Sequence, residues 1–240
     1  MLKAKKSLSQ NFIIDKNICQ KIIKLSKISN RNILEIGPGY GFLTDIILEN
    51  EPKKLFLVEK DDKLASFLKN KYKNNNIVKI INTDILNFDL KNFKDLVVIS
   101  NLPYNVGTKI IFHLFKYNKN IFEMIFMIQK EVAIKFDYNL PKMNKYKFLT
   151  KIISDYSRCF DVSSNVFTPK PKIKSTVVKF ITNKNISDLS KAIRFSNLIF
   201  RNMRKKIYNN ISIKKKDYNL LEKRVNELSI KDLINIYNFF

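Results

Sequence analysis

Cysteine and histidine are nearly absent from this chain. Among its 240 residues it has two cysteines, Cys19 and Cys159, and a single histidine, His113. Two distant cysteines cannot form a disulfide framework of the kind that small secreted proteins use, which predicts a reducing, cytoplasmic environment. One histidine without clustered cysteines offers too few of the ligands that zinc prefers, so we expect no metal.

Long apolar runs are missing as well. No stretch of the sequence is long enough to span a bilayer, and no apolar segment follows the basic residues 1–6. We therefore expect neither a signal peptide nor a membrane partner. Hydrophobic residues still make up 45% of the chain, enough to bury a sizeable core. The length suits one α/β domain with a small appendage.

Acidic residues are outnumbered by basic ones. The chain has 45 Lys and Arg against 21 Asp and Glu, a formal net charge of +24. This excess is typical of proteins that bind polyanions, and it favours RNA or DNA over a membrane surface. Only six of the basic residues are arginine. An AT-rich genome produces the same bias, so charge alone does not establish nucleic-acid binding.

Residues 99–104, ISNLPY, follow an apolar run that predicts a buried strand. Their proline turn is then expected at the C-terminal end of a parallel strand, where open α/β sheets bind ligands. Pro103 lacks an N–H and favours an extended Leu102. The Leu102 carbonyl and the Asn101 side-chain oxygen are thus two acceptors for one small donor, such as an exocyclic amine, and Tyr104 offers a flat face to the attached ring.

This turn resembles the Asn-x-Pro-Tyr motif of amino-N-methyltransferases that act on nucleobases. An ordinary proline turn contains the same residue types, so the rest of the chain has to decide between the two interpretations.

Glycine is scarce, with four residues, yet three of them lie at alternate positions: Gly37, Gly39 and Gly41. Following a predicted strand, they allow a tight turn and a close approach of backbone to ligand. The dinucleotide fingerprint needs another glycine where Phe42 stands. The spacing, with Glu35 two residues before the first glycine, resembles motif I of class I methyltransferases instead.

The next two predicted strands end near acids. One leads to Glu59, about 20 residues after the glycine turn, from which an acid can hold the two hydroxyls of a ribose. The other is followed by Asp84 and Ile85, whose carboxylate and backbone N–H suit an adenine amino group and a ring nitrogen. Each acid alone is more often a helix cap. Successive predicted strands are thus followed by the glycines, the two acids and the Asn101 turn. This succession predicts that a cofactor and an amine bind side by side at the carboxyl edge of the sheet.

The ordered set of motifs resembles the bacterial ribosomal RNA small-subunit adenine N6-dimethyltransferases over nearly the whole chain. The matching segments are KSLSQNFIID, NILEIGPGYGFLT, VEKD, TDIL, SNLPYNV, MIQKEVA, FTPKPKIKSTVV and FRNMRKKIYNNI. The family implies S-adenosyl-L-methionine as cofactor and an α/β fold: a seven-stranded Rossmann-like sheet with an antiparallel last strand, followed by a small helical domain. We place the catalytic domain over residues 1–182 and the helical domain over residues 183–240, because the sheet pattern ends there.

The resemblance also carries over single positions. It matches cofactor-contacting positions of the family at Asn11, Ile13, Gly37, Glu59, Asp84 and Asn101, and the strand-end pattern adds Gly39 and Ile85. The catalytic set is the turn and one further stacking ring: Asn101, Leu102, Pro103, Tyr104 and Phe167. A core position beside two prolines is an equal interpretation of Phe167.

A basic cluster near the C-terminus is expected to bind RNA. We place it on a predicted helix, where its side chains either contact phosphates or face solvent: Arg201, Arg204, Lys205 and Lys206. The chain departs from the family at Lys147 and Phe148, where Gly-Arg is usual. That change bears on RNA contacts more than on the cofactor.

The resemblance implies dimethylation at N6 of two adjacent adenosines near the 3′ end of small-subunit (16S) rRNA, in an assembling 30S particle, by a cytoplasmic monomer. Three alternatives stay open: a large-subunit rRNA adenine methyltransferase of the antibiotic-resistance type, a DNA adenine methyltransferase, and a ribosome-assembly factor with weak catalysis. The matches FTPKPKIKS and FRNMRKKIYNNI favour the small-subunit branch. Leu-Pro before Tyr104 differs from the usual Pro-Pro of the DNA enzymes, and the intact Glu59, Asp84 and Asn101 argue against lost catalysis.

Overall fold

A computed structural model describes residues 11–184, 186, 188–212 and 219–240. The N-terminal arm, which is the segment KSLSQNFIID at residues 6–15, is therefore described from Asn11 onward. Asn185 and Ser187, in the expected boundary segment 183–187, lie outside the described residues. In the part of the chain that the structure describes, no helix is both long and apolar enough to cross a membrane. Among the same residues, no three histidine, cysteine or acidic side chains cluster as a metal site requires.

The chain divides into two compact units. The first comprises Met1–Ala133 and Ser157–Thr182, and the second comprises Ile134–Tyr156 and Asn183–Phe240. The division after Thr182 lies where the sheet pattern ends in the sequence. The second unit differs from the expected helical domain because it also takes Ile134–Tyr156, which the sequence analysis placed in the catalytic domain.

Nine strands and eight α-helices are described. The strands are β1 Phe12–Ile13, β2 Asn32–Ile36, β3 Lys54–Glu59, β4 Val78–Asn82, β5 Leu96–Asn101, β6 Ile121–Gln129, β7 Ser154–Val162, β8 Phe167–Thr168 and β9 Ser175–Thr182. The helices are α1 Lys16–Ile23, α2 Phe42–Leu48, α3 Asp62–Lys71, α4 Gly107–Phe115, α5 Lys130–Phe136, α6 Lys145–Ile153, α7 Leu189–Arg201 and α8 Ile230–Phe239.

The first unit is built on a seven-stranded sheet in the order β4-β3-β2-β5-β6-β9-β7. Strands β4, β3, β2, β5 and β6 are parallel, and β9 runs antiparallel to β6. The central strand β5 is buried along its first five residues, as expected for a parallel strand that is covered on both faces. The predicted Rossmann-like sheet with an antiparallel last strand is confirmed.

Local caps place the helices directly after the strand ends. The Asp61 carboxylate accepts hydrogen bonds from the N–H groups of Lys63 and Leu64, so α3 begins immediately beyond Glu59. Asp15 caps α1 in the same way, since its side chain accepts a hydrogen bond from the Ile18 N–H. These short connections keep the residues that follow each strand at one edge of the sheet.

The described part of the N-terminal arm forms a separate two-stranded sheet. Strand β1 pairs antiparallel with β8, so that Ile13 lies opposite Phe167. The N–H of Ile14 extends the ladder by donating to the Val166 carbonyl at 2.9 Å. Ile13 is buried in the core, so this part of the arm packs on the first unit.

The second unit has an aromatic core contributed by three helices. The ring of Phe148 on α6 lies 5.1 Å from that of Phe195 on α7 and 5.9 Å from that of Tyr237 on α8. This packing explains why Ile134–Tyr156 groups with the C-terminal residues. Lys147 is also buried, and its ammonium group donates to the carbonyls of Leu140 and Pro141. The departure from the family at Lys147 and Phe148 therefore fills the core of this unit.

Candidate active site

A cavity of about 240 Å³ opens in the first unit, where the strands β2 to β5 end. Parallel sheets bind ligands at this edge because the loops that follow their strands gather there. The structure brings most of the predicted site residues to this cavity: Asn11, Ile13, Gly37, Gly39, Glu59, Asp84, Ile85, Asn101, Leu102, Pro103 and Tyr104.

The glycine turn forms one wall of the cavity. Gly37 and Gly39 have φ angles of +62° and +60°, which L side chains rarely adopt. A Cβ on Gly39 would stand 2.7 Å from the ring of Phe12, which therefore packs directly on the turn. A Cβ on Gly37 would meet nothing within 4 Å. The space beside Gly37 is thus free for a ligand that lies against the backbone.

Glu59 holds the glycine turn and has spare capacity for a ligand. One carboxylate oxygen accepts from the Asp61 N–H at 2.9 Å, and the other accepts from the Gly39 N–H at 3.3 Å. Burial raises the pKa of Glu59, and these N–H groups oppose the rise. An ionised carboxylate has about four acceptor positions. The Lys60 N–H also acts on this carboxylate, so one acceptor position remains, which suits a hydroxyl of a ribose.

Asp84 also lines the cavity, just after β4. Its carboxylate accepts from the Leu86 N–H at 3.0 Å and from the Lys60 ammonium group at 2.8 Å. Partial burial acts to raise the pKa of Asp84, but the bonds from Lys60 and Leu86 outweigh it and lower the pKa. Asp84 therefore stays an acceptor at neutral pH. The sequence analysis missed Lys60, since nothing in the local pattern pairs it with Asp84.

Glu35 is a buried acid at the base of the glycine turn. Its carboxyl group accepts a hydrogen bond from the Thr44 hydroxyl at 2.6 Å. Burial raises the pKa of Glu35 from its ordinary 4.5 to about 8. The group therefore holds a proton at neutral pH. The sequence analysis used Glu35 only for its spacing to the glycines.

The Asn101 turn is fixed by bonds to three other segments. The Leu102 N–H donates to the Met127 carbonyl at 3.1 Å, and the Pro103 carbonyl accepts from the Gly107 N–H at the start of α4. The Asn101 side-chain nitrogen donates to the main-chain carbonyl of Asn11 at 2.7 Å. Only the NH2 end of an amide can make that bond. The orientation of the amide is therefore set, and its oxygen remains an acceptor at the cavity.

Tyr104 lines the cavity with a half-buried ring. Its hydroxyl forms a 2.6 Å hydrogen bond with the hydroxyl of Ser175, the first residue of β9. Burial raises the pKa of Tyr104, so the hydroxyl is protonated at neutral pH. The sequence analysis predicted the ring but missed Ser175, because the two residues are 71 positions apart.

Phe167 is not among the residues that line the cavity. Its side chain is 3% exposed and packs in the core of the first unit. The reason is its register: Phe167 lies opposite the buried Ile13 in the β1–β8 pair, which turns both side chains toward the core. Of its two interpretations, the structure thus shows the core position.

The four basic residues lie in the second unit, and all are exposed. Their prediction on one helix is wrong, because α7 ends at Arg201 and the other three follow it. The chain turns there so that Ile207 is fully buried, with its N–H donating to the Lys223 carbonyl. Lys206 also forms an ion pair with Glu222 at 2.8 Å, which leaves Arg201, Arg204 and Lys205 as the stronger candidates for phosphate contacts.

A family described as ribosomal RNA adenine dimethylase matches the chain over residues 1–240. The chain belongs to the ribosomal RNA adenine dimethylase family. Similar members include the ribosomal RNA small subunit methyltransferase A of Malacoplasma penetrans, 41% identical over 87% of this chain and 78% of that protein. The protein of the same name from a Hydrogenobaculum species is 34% identical over 99% of this chain and 94% of that protein.

Two solved structures share the fold of this dimethylase. A dimethyladenosine transferase from Plasmodium falciparum has a TM-score of 0.78 and 21% identity, covering 95% of this chain and 100% of that one. The 23S rRNA methyltransferase ErmE has a TM-score of 0.78 and 17% identity, covering 95% of this chain and 98% of that one. The equal scores mean that the fold alone does not distinguish a dimethyladenosine transferase from a 23S rRNA methyltransferase.

The dimethylase family uses S-adenosyl-L-methionine, and the cavity fits this cofactor. The free space beside Gly37 accepts a chain that lies against the backbone. Beyond the turn, Glu59 has an acceptor position left that suits a hydroxyl, and Asp84 is an acceptor that suits an amino group. The protein is therefore an S-adenosyl-L-methionine-dependent methyltransferase of this family.

Proposed function

We propose that this protein transfers methyl groups from S-adenosyl-L-methionine to N6 of two adjacent adenosines near the 3′ end of small-subunit (16S) rRNA. The observation that carries the proposal is the fixed acceptor pair of Asn101 and Leu102 on the wall of a cavity that fits the cofactor. The two relatives named small subunit methyltransferase A support the choice of substrate. We further propose a monomer that acts on an assembling 30S particle in the cytoplasm.

The chemical task of the protein is to orient a weak nucleophile. The N6 lone pair of adenine is delocalised into the ring, so the amine has to become pyramidal before it can react. Acceptance of its two hydrogens by the Asn101 oxygen and the Leu102 carbonyl favours that geometry. The bond from the Asn101 nitrogen to the Asn11 carbonyl holds the amide in the orientation needed. Positioning and electrostatics therefore carry the reaction, and no general base is required.

When bound, S-adenosyl-L-methionine would supply a methyl group carried on a positively charged sulfur. The amine nitrogen would bond to the methyl carbon as the carbon–sulfur bond breaks with its electron pair left on sulfur, and the proton lost from the nitrogen would pass to water. The cofactor is held by the chain through three parts of the cavity wall. We assign one of its ribose hydroxyls to Glu59, its adenine to Asp84 and the Ile85 N–H, and its amino-acid part to the backbone around Gly37.

The target adenine has to leave its stack to reach the cavity. Extrusion of a base costs a few kcal/mol. Stacking on an aromatic ring returns roughly 1–3 kcal/mol per base, and we assign this role to Tyr104. The exposed Arg201, Arg204 and Lys205 of the second unit supply phosphate contacts, which position the RNA without reading its sequence.

The test is methyl transfer to purified ribosomal subunits that lack the modification. Undermethylated small subunits should acquire N6,N6-dimethyladenosine, identified by mass spectrometry of the digested RNA, while large subunits and duplex DNA should acquire little. Label confined to large subunits would favour the antibiotic-resistance type, whose fold is the same. Binding to small subunits without any methyl transfer would favour an assembly factor.

A further inference from the structure

We propose that Ser175 is a positioning residue for the second methyl transfer to each adenosine and that it acts through the hydroxyl of Tyr104. The inference rests on the proposed function, because it concerns the step from monomethylated to dimethylated adenosine. Ser175 lies 71 positions from Tyr104 in the sequence, at the start of strand β9.

The topology of the sheet explains how Ser175 reaches the site. Strand β5 ends at Asn101 and the parallel strand β6 ends at Gln129, so both deliver their last residues to the carboxyl edge. Strand β9 is antiparallel to β6, with Ser175 opposite Gln129. It therefore begins at the edge where its parallel neighbours end. Its first side chain lies within 2.6 Å of the Tyr104 hydroxyl.

The Tyr104–Ser175 hydrogen bond anchors a loop residue to the scaffold. Tyr104 stands in the turn between β5 and α4, whereas Ser175 is fully buried at the start of a strand. The hydroxyl lies on the long axis of the tyrosine ring, so a bond at that point fixes the direction in which the ring points. A hydrogen bond in the plane of the ring does not itself cover either flat face. The bond therefore holds the ring where an adenine can stack on it.

The second transfer depends on this ring more than the first. Unmodified adenine has two N6 hydrogens, one for the Asn101 oxygen and one for the Leu102 carbonyl. Monomethylated adenine has a single N6 hydrogen and can satisfy only one of these acceptors. With one hydrogen bond lost, the stack on Tyr104 carries a larger share of the positioning. A misplaced ring should therefore impair the second transfer more than the first.

A double-mutant cycle of Ser175→Ala and Tyr104→Phe tests this role. Each variant deletes one hydroxyl of the bond, and the pair is measured singly and together. The substrate is undermethylated small subunits, and the readout is the ratio of N6-methyladenosine to N6,N6-dimethyladenosine at a fixed early time. Thr176→Val is the matched control: it removes a buried hydroxyl of the neighbouring residue, which bonds to Asp161 outside the cavity.

We expect each single variant to raise the monomethyl-to-dimethyl ratio by about 2- to 10-fold, the factor that one net hydrogen bond represents. The double variant should resemble either single variant, since both delete the same bond, and cofactor affinity should not change. Thr176→Val should leave the ratio at the wild-type value.

The outcomes separate this inference from the proposed function. If the wild type forms dimethyladenosine while Ser175→Ala keeps the wild-type ratio, or if the two effects simply add, the positioning role is wrong and the proposed function stands. An equal rise with Thr176→Val would mean that general loosening of β9 causes the effect, which also refutes the role. A wild type without dimethyl product would overturn the proposed function and this inference with it.

Discussion

Substitution of Glu59 by glutamine tests the cofactor assignment with almost no change of shape. The wild-type carboxylate accepts from the N–H groups of Gly39 and Asp61. In Glu59→Gln one carboxylate oxygen is replaced by an NH2 group, which donates and cannot accept. This group must face either one of these N–H donors or a ribose hydroxyl that donates to the carboxylate, so one hydrogen bond is lost. Hydrogen bonds to a charged acceptor contribute about 1.5–3 kcal/mol. We therefore expect the dissociation constant for S-adenosyl-L-methionine to rise roughly 10- to 150-fold.

The assay is isothermal titration calorimetry on variants whose thermal unfolding confirms the fold. Asp62→Asn is the control, because Asp62 is an exposed acid at the start of α3 that does not line the cavity. It should bind with wild-type affinity. Because burial raises the pKa of Glu59, wild-type affinity should fall on acidification before an ordinary glutamate would protonate, and Glu59→Gln should lack this step. Wild-type affinity in a folded Glu59→Gln would refute the assignment.

Two further predictions concern stability and RNA binding. The raised pKa of Glu35 means that the folded state keeps a proton which the unfolded chain releases between pH 4.5 and about 8, so stability must fall as pH rises through that range. In Glu35→Gln the free energy of unfolding should not show this decline, which in the wild type is at most about 5 kcal/mol. Thermal unfolding of both proteins at several pH values measures it. Parallel plots of stability against pH for the two proteins would contradict the buried proton. Arg204→Ala with Lys205→Ala should reduce the salt dependence of RNA affinity by about one unit per lost phosphate contact. The control double variant, Lys53→Ala with Lys54→Ala at the amino end of β3, should not change the salt dependence. If both double variants show the same salt dependence of RNA affinity, Arg204 and Lys205 do not contact phosphates and only face solvent.

Residues that follow the parallel strands could be predicted from the sequence alone. Parallel strands have their carboxyl ends at one edge of the sheet. A short apolar run followed by a polar residue is therefore enough to place that residue at the edge. Glu59, Asp84 and Asn101 satisfy this condition, and all three line the cavity. The glycine turn follows from composition, because three of the four glycines of the chain stand together.

Contacts between distant segments could not be predicted in this way. The bond from Asn101 to Asn11 joins residues 90 positions apart, and the bond from Tyr104 to Ser175 joins residues 71 apart. Periodicity reports which face of an element is buried and carries no information about the partner of one polar group. Both bonds decide how the turn is oriented, so the geometry of the site emerges only from the fold.

The helical unit shows the same limit for whole elements. Helical spacing in the sequence predicts one helix across residues 201–206, yet α7 ends at Arg201 and the chain turns before the buried Ile207. In the same way, Phe148 joins the C-terminal helices through its contacts with Phe195 and Tyr237. Neither event leaves a local pattern, since each depends on apolar surface supplied by another segment.

The most direct test of the account is the rate of a single methyl transfer by Asn101→Ala. Undermethylated small subunits are mixed with enzyme at saturating S-adenosyl-L-methionine, so that cofactor binding does not limit the rate. The account predicts a loss of about 10²- to 10³-fold, as when one preorganised polar group is removed from an active site, with subunit binding near the wild-type value. A wild-type rate in this variant would contradict the claim that Asn101 orients the target amine.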